Sequence, residues 1–165
     1  MSSRSGARHP WALSDAPFNE VFVGLALLVS AYISILLTRV PGGFAPFFPG
    51  CAIAAALLIR LPRIRWSIAA ASVVTALIVT NVAVAHRPWP LAALFTGVNV
   101  AEIAMMVAAF RFAWVFPYPD ITIGQAAIVT AIFGIAIPGI AGLAGGLLLH
   151  AHYASPFLEG SLRWW

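Results

Sequence analysis

The chain has 165 residues, 62% of them hydrophobic and only 8% charged, with a mean hydropathy of +0.96. A water-soluble domain needs far more surface charge, and several apolar runs reach membrane-crossing length, so the fold class is an all-α, polytopic transmembrane bundle of about five spans. The formal charge of +4 does not point to nucleic acid: the nine basic residues are all arginine and lie scattered at the ends of apolar runs, as topology signals do, not in a patch with aromatics.

Residues 1–20 are polar and read as an N-terminal segment outside the bilayer. The first span, 21–38, covers about 27 Å at the helical rise. Arg39-Val40-Pro41 follows it without a small-residue cleavage site, which favours an uncleaved helix over a signal peptide. The second apolar run, 44–59, contains Pro46, Pro49 and Gly50. A helix starting near Phe48 is too short to span alone, so its amino end is expected to be irregular and buried against neighbours. Arg60, Arg63 and Arg65 then form the densest charge cluster.

The third span, 66–84, is interrupted by Thr75, Thr80 and Asn81, and a short turn through His86 and Arg87 leads to the fourth, 90–110. Residues 111–120 are aromatic and proline-bearing, and suit an interface loop anchored by Trp114 and Tyr118. The fifth span, 121–149, exceeds a straight crossing, and Pro138 is expected to kink it. Residues 150–165 are expected to be an outer-side loop or the start of a further helix, and the chain is expected to be part of a longer membrane domain. With the N-terminus cytoplasmic, the inner side holds Arg4, Arg8, Arg60, Arg63, Arg65 and Arg111, against Arg39, Arg87 and Arg163 outside. That asymmetry obeys the positive-inside rule.

The fourth span carries Asn99 and Glu102 near its middle, three residues apart and so on one helix face. A carboxylate at that depth costs roughly 2.5–3.5 kcal/mol on insertion scales for comparable charges. It is normally turned towards other helices, a partner or a water-filled cavity. Two readings follow: a sensing or relay group, or a hydrogen-bonded glutamate that clamps two helices. Asn81, Thr96 and Thr75 are candidate partners. Gly134, Gly139, Gly142, Gly145 and Gly146 mark the fifth span for close helix packing, with Pro138 and Pro49 as hinges.

Arg60, Arg63, Arg65 and Arg111 read as topology and lipid-headgroup contacts. His150 and His152 would point about 200° apart on a helix and so share no metal. Cys51, the single cysteine, reads as a buried, inert thiol. No phosphate loop, dinucleotide fingerprint, zinc pattern or nucleophile elbow is present, and no catalytic residue, metal or cofactor is expected.

Three stretches resemble the MASE family, the membrane-associated sensor domains of bacterial histidine kinases and diguanylate cyclases. Phe47-Phe48-Pro49-Gly50-Cys51 and the small residues after it, closed by the Arg60–Arg65 turn and Trp66, look like that family's second helix. Gly97-Val98-Asn99-Val100-Ala101-Glu102 is similar to its Gly-x-Asn-x-x-Glu helix, and Phe157 to Trp165 resembles the opening of its next helix. Such domains have about eight spans and usually precede a cytoplasmic output domain. The resemblance therefore implies an incomplete, non-catalytic sensory module of the bacterial inner membrane, which passes a membrane or ligand signal to a linked cytoplasmic effector. An accessory subunit of a larger membrane complex is the alternative, with the bilayer and other membrane subunits as its partners. A small transporter is the third reading.

Overall fold

The computed structural model describes residues 19–38, 49–113 and 122–164, and all regular structure among them is helical. The elements are α1 (Asn19–Thr38), α2 (Gly50–Arg60), a 3₁₀ turn (Arg63–Arg65), α3 (Trp66–Val79), α4 (Trp89–Ala113), α5 (Ile123–Thr130), α6 (Ile137–Tyr153) and α7 (Phe157–Trp164). A π-helical turn over Thr80–Val84 extends α3, and a second over Ala131–Ala136 joins α5 to α6. Three continuous helical runs are long and apolar enough to cross a membrane: Arg63–Val84, Trp89–Arg111 and Ile123–Tyr153. Glu20–Leu36 and Gly50–Arg60 are shorter apolar helices. The proposed aromatic lead-in at 44–48 and the anchors Trp114 and Tyr118 lie outside the described residues.

The side chains are sorted as a bilayer requires. On α1 the buried face is Glu20, Val23, Leu27, Ala31 and Ser34, while Phe22, Leu25, Val29, Tyr32, Ile33 and Leu36 point outwards. Spacings of three and four put each set on one helical stripe. Large apolar groups can face outwards because lipid is as apolar as leucine. The inward face mixes Val23 and Leu27 with small and polar residues, whose close packing and hydrogen bonds hold such helices together. Gly24 is the tightest case on α1. A Cβ there would lie 2.6 Å from the Ser72 carbonyl oxygen of α3. At that crossing the Ser72 hydroxyl also donates to the Glu20 carbonyl at 2.7 Å.

Helix α4 is the centre of the bundle, packing against α2, α3 and α6, while α1 covers α2 and α3. Its inner stripe runs Leu91, Ala92, Phe95, Thr96, Asn99, Glu102, Ile103, Met106 and Val107.

Both π turns have local causes. At the start of the first, the Thr80 hydroxyl and the Asn81 amide donate back to the carbonyls of Ala76 and Leu77 at 2.8 and 2.9 Å. They compete there with the backbone ladder, and Ala85 N–H reaches Thr80 O five residues back. In the second, Ile137 N–H bonds Ile132 O, one residue before Pro138, which has no N–H to give. The wider turn is how the fifth span accommodates its proline.

The glycines of that span divide. Gly142, Gly145 and Gly146 are buried, and a Cβ on Gly146 would lie 2.6 Å from the Ser161 nitrogen of α7. Gly134 and Gly139 do not serve close packing among the described residues. A Cβ on Gly139 meets nothing within 4 Å, and one on Gly134 meets only Thr130 of its own helix. Within the π turn around Gly134 only Ile132 and Phe133 pack against the core, each partly buried, and at Gly139 no neighbouring helix comes within reach. Helix α6 runs on to Tyr153, turns at Ala154 in the left-handed region (φ 50°), and α7 folds back onto it.

Candidate functional site

The ends of the bundle can be told apart by their polar contacts. At one end Arg65 pairs with Glu20 at 3.2 Å, and the Arg111 guanidinium lies 4.1 Å from the centre of the Trp66 ring. This end gathers the start of α1, the start of α3 and the last turn of α4. Arg65 and Arg111, read from the sequence as topology and headgroup residues, each also have a partner within the fold. At the other end Arg87 sits between the spans, close enough to Tyr153 of α6 to feel its phenol.

Between these ends α4 carries the polar residues singled out in the sequence. Glu102 and Asn99 are both buried. At 1.5 Å per residue they stand about 20 and 15 Å from the start of a helix about 37 Å long, near mid-membrane depth. The Cys51 thiol of α2 donates to Asn99 Oδ1 at 3.5 Å and lies near enough to the Glu102 carboxyl for the two to interact electrostatically. Asn99 Nδ2 donates to Phe95 O at 3.0 Å, a bond within its own helix, which leaves Oδ1 facing α2.

Cys51 is the second residue of α2, whose amino end is capped by Pro49 with no side-chain hydrogen bond. The short helix therefore begins at the depth of Asn99. It presents its amino end, with the partial positive charge of the helix dipole, beside a buried carboxyl group.

A second polar group lies further towards the Arg87 end. Asn81 Nδ2 donates to Thr96 Oγ1 at 3.3 Å, and Arg87 Nη1 donates to Asn81 Oδ1. The Arg87 guanidinium lies 4.3 Å from the centre of the Phe95 ring. Burial removes water from this cation and pulls it down to about 10, an effect opposed by the nearby Tyr153 phenol. Thr96 is one helical turn before Asn99, so the two groups form one polar stripe along α4, from the Arg87 turn to Glu102.

Asn81 and Thr96, considered as partners for Asn99 and Glu102, bond each other, with Thr96 on the same α4 stripe as that pair, whereas Thr75 is exposed and bonds Ala71 of its own helix at 2.8 Å. Two members were not picked out from the sequence. Cys51 belongs to the Asn99–Glu102 cluster; its signal was the helix start after Pro49-Gly50, but the pairing across helices is not written locally. Arg87, read as a topology residue, reaches back to Asn81 because the π turn brings the chain round, with Arg87 N–H on Asn81 O at 3.0 Å. His150 binds Ser155 O at 2.7 Å and His152 stacks edge-on against Tyr153. No group of three metal-binding side chains occurs among the described residues.

A helical membrane bundle with a polar stripe buried along its central helix defines a polytopic membrane protein whose polar groups are turned inwards. The family comparison agrees. The MASE1 family model matches residues 20–165, so the chain belongs to the MASE1 family, the membrane-associated sensory domains. Comparison with curated proteins and with solved structures gave no match.

Proposed function

We propose that the Cys51–Asn99–Glu102 cluster is the sensing element of this domain. The carrying observation is the hydrogen bond from the first turn of the short α2 to the α4 face that buries Glu102. A ligand, an ion or a change in the bilayer that competes for Asn99 or Glu102 alters the α2–α4 contact. The bundle then shifts between two helix packings, by as much as the stimulus differs in affinity for them. That shift passes to a linked or associated cytoplasmic effector. Pro49 and Pro138, at the amino end of α2 and beside the second π turn, are where the helices bend.

The proposed setting is the bacterial inner membrane, multi-pass, with the N-terminus cytoplasmic. The grouping of Glu20, Arg65, Trp66 and Arg111 at one end supports it, because that end collects the arginine-rich side.

The test is Glu102→Gln in the full-length protein in its own membrane. It keeps the side chain's size and hydrogen-bonding capacity but removes its ability to carry charge. Effector output is expected to change while insertion and protein level stay as in wild type. Unchanged output from a correctly inserted variant would leave Glu102 as a helix clamp only.

The accessory-subunit reading has one observation of its own, the largely uncovered apolar helix α5, from Ile123 to Thr130. Recovery of the chain with a stoichiometric membrane partner crosslinked through that segment would favour it.

A further inference from the structure

We propose that the turn between α2 and α3 is a docking site for anionic phospholipid headgroups, with Arg60 and Arg63 binding the phosphate and Ile64 entering the acyl layer. The four arginines at this end are not equivalent. Arg65 is held by Glu20 and Arg111 lies on Trp66. Arg60 and Arg63 are exposed, and neither side chain makes an ion pair or hydrogen bond with any described residue. Between Arg63 and Arg65 stands Ile64, 88% exposed, on the turn that opens the Arg63–Val84 span.

The turn is built to hold these groups still. Leu61 is buried, 3% exposed, and its N–H bonds Leu58 O at 3.2 Å. Arg65 N–H bonds Pro62 O at 3.0 Å, and the Trp66 indole donates to Leu61 O at 3.2 Å. Pro62 fixes the backbone between them. A rigid turn that offers two guanidinium groups around one exposed aliphatic side chain is complementary to an anionic headgroup above and acyl chains below. Guanidinium groups bind phosphate oxygens through paired N–H donors, and the anionic leaflet attracts basic groups next to the bilayer. An acidic protein surface would match the two charges but gives Ile64 no apolar layer to enter.

The test is native mass spectrometry of the full chain in micelles, titrated with phosphatidylglycerol or phosphatidylcholine. Wild type is expected to retain phosphatidylglycerol in preference to phosphatidylcholine. R60Q/R63Q should weaken that retention about twenty-five-fold, or roughly fivefold for each arginine near the surface. R60K/R63K should keep most of it, and Ile64→Asn should weaken both lipids. The substitutions are at exposed positions, and an unchanged helical circular dichroism spectrum checks that they leave the fold intact.

Equal retention of the two lipids, or a double glutamine variant that binds like wild type, would overturn the proposal. Displacement of the lipid by inorganic phosphate at matching concentration would show an ion site and not a lipid dock. Displacement by a polyglutamate peptide would assign the turn to an acidic protein partner. These outcomes are independent of the Glu102 experiment, since the turn lies at the end of the bundle and the cluster at its middle.

Discussion

Placing a methyl group on Gly146 tests the packing of α6 against α7, and Gly139 supplies the control on the same helix. A Cβ at Gly146 would lie 2.6 Å from the Ser161 nitrogen and 2.8 Å from its Cα. These are backbone atoms that no rotamer change can move, so α7 must retreat by about 1 Å to restore ordinary contact. Overpacking of that kind costs about 1–3 kcal/mol. Replacing glycine by alanine in a helix also returns about 1 kcal/mol of propensity, but that gain is common to both sites, because Gly139 meets nothing within 4 Å. Gly146→Ala should therefore be about 1–3 kcal/mol less stable than Gly139→Ala, measured by reversible unfolding in mixed detergent micelles. Equal stability of the two variants would refute the close approach of α7 to α6.

The single cysteine, 2% exposed, should resist a small maleimide in intact membranes and react fully in denaturant. Asn99→Ala should speed its labelling by removing the acceptor of the thiol. Glu20→Gln and Arg65→Gln should show a coupling of about 1 kcal/mol in a double-mutant cycle, because their ion pair is only partly shielded from water. Asn81→Leu should destabilise by about 1–3 kcal/mol, since it takes the acceptor from a half-buried guanidinium. Arg87→Met made in the Asn81→Leu background should recover part of that loss in the same unfolding assay.

The class of fold was legible because bilayer physics acts on composition: apolar length and arginine placement need no tertiary information. The Asn99–Glu102 face was legible for the same reason, since an i, i+3 pair shares a face on any helix. What the sequence did not disclose depends on contacts between helices. Cys51 is buried as expected, but nothing local says which helix its thiol faces. Arg87 looked like a topology marker because the π turn that carries it back to Asn81 arises from side-chain bonds to the Ala76 and Leu77 carbonyls. Gly134 and Gly139 looked like packing residues from spacing alone. Spacing cannot tell that no neighbouring helix comes within reach of Gly134 or Gly139. Arg65 and Arg111 likewise carry the signature of headgroup arginines, and only the fold shows their partners.

The most direct test of the sensing cluster is a reversible lock across it, because the Cys51 thiol already touches Asn99. Asn99→Cys in the full-length protein should form a disulfide with Cys51 under mild oxidation in native membranes, tying α2 to α4. Effector output should differ between the oxidised and reduced forms of this one variant, and reduction should reverse the change. Failure of the crosslink to form would contradict the contact itself. A crosslink that forms fully and leaves output unchanged would contradict the claim that movement of α2 against α4 carries the signal.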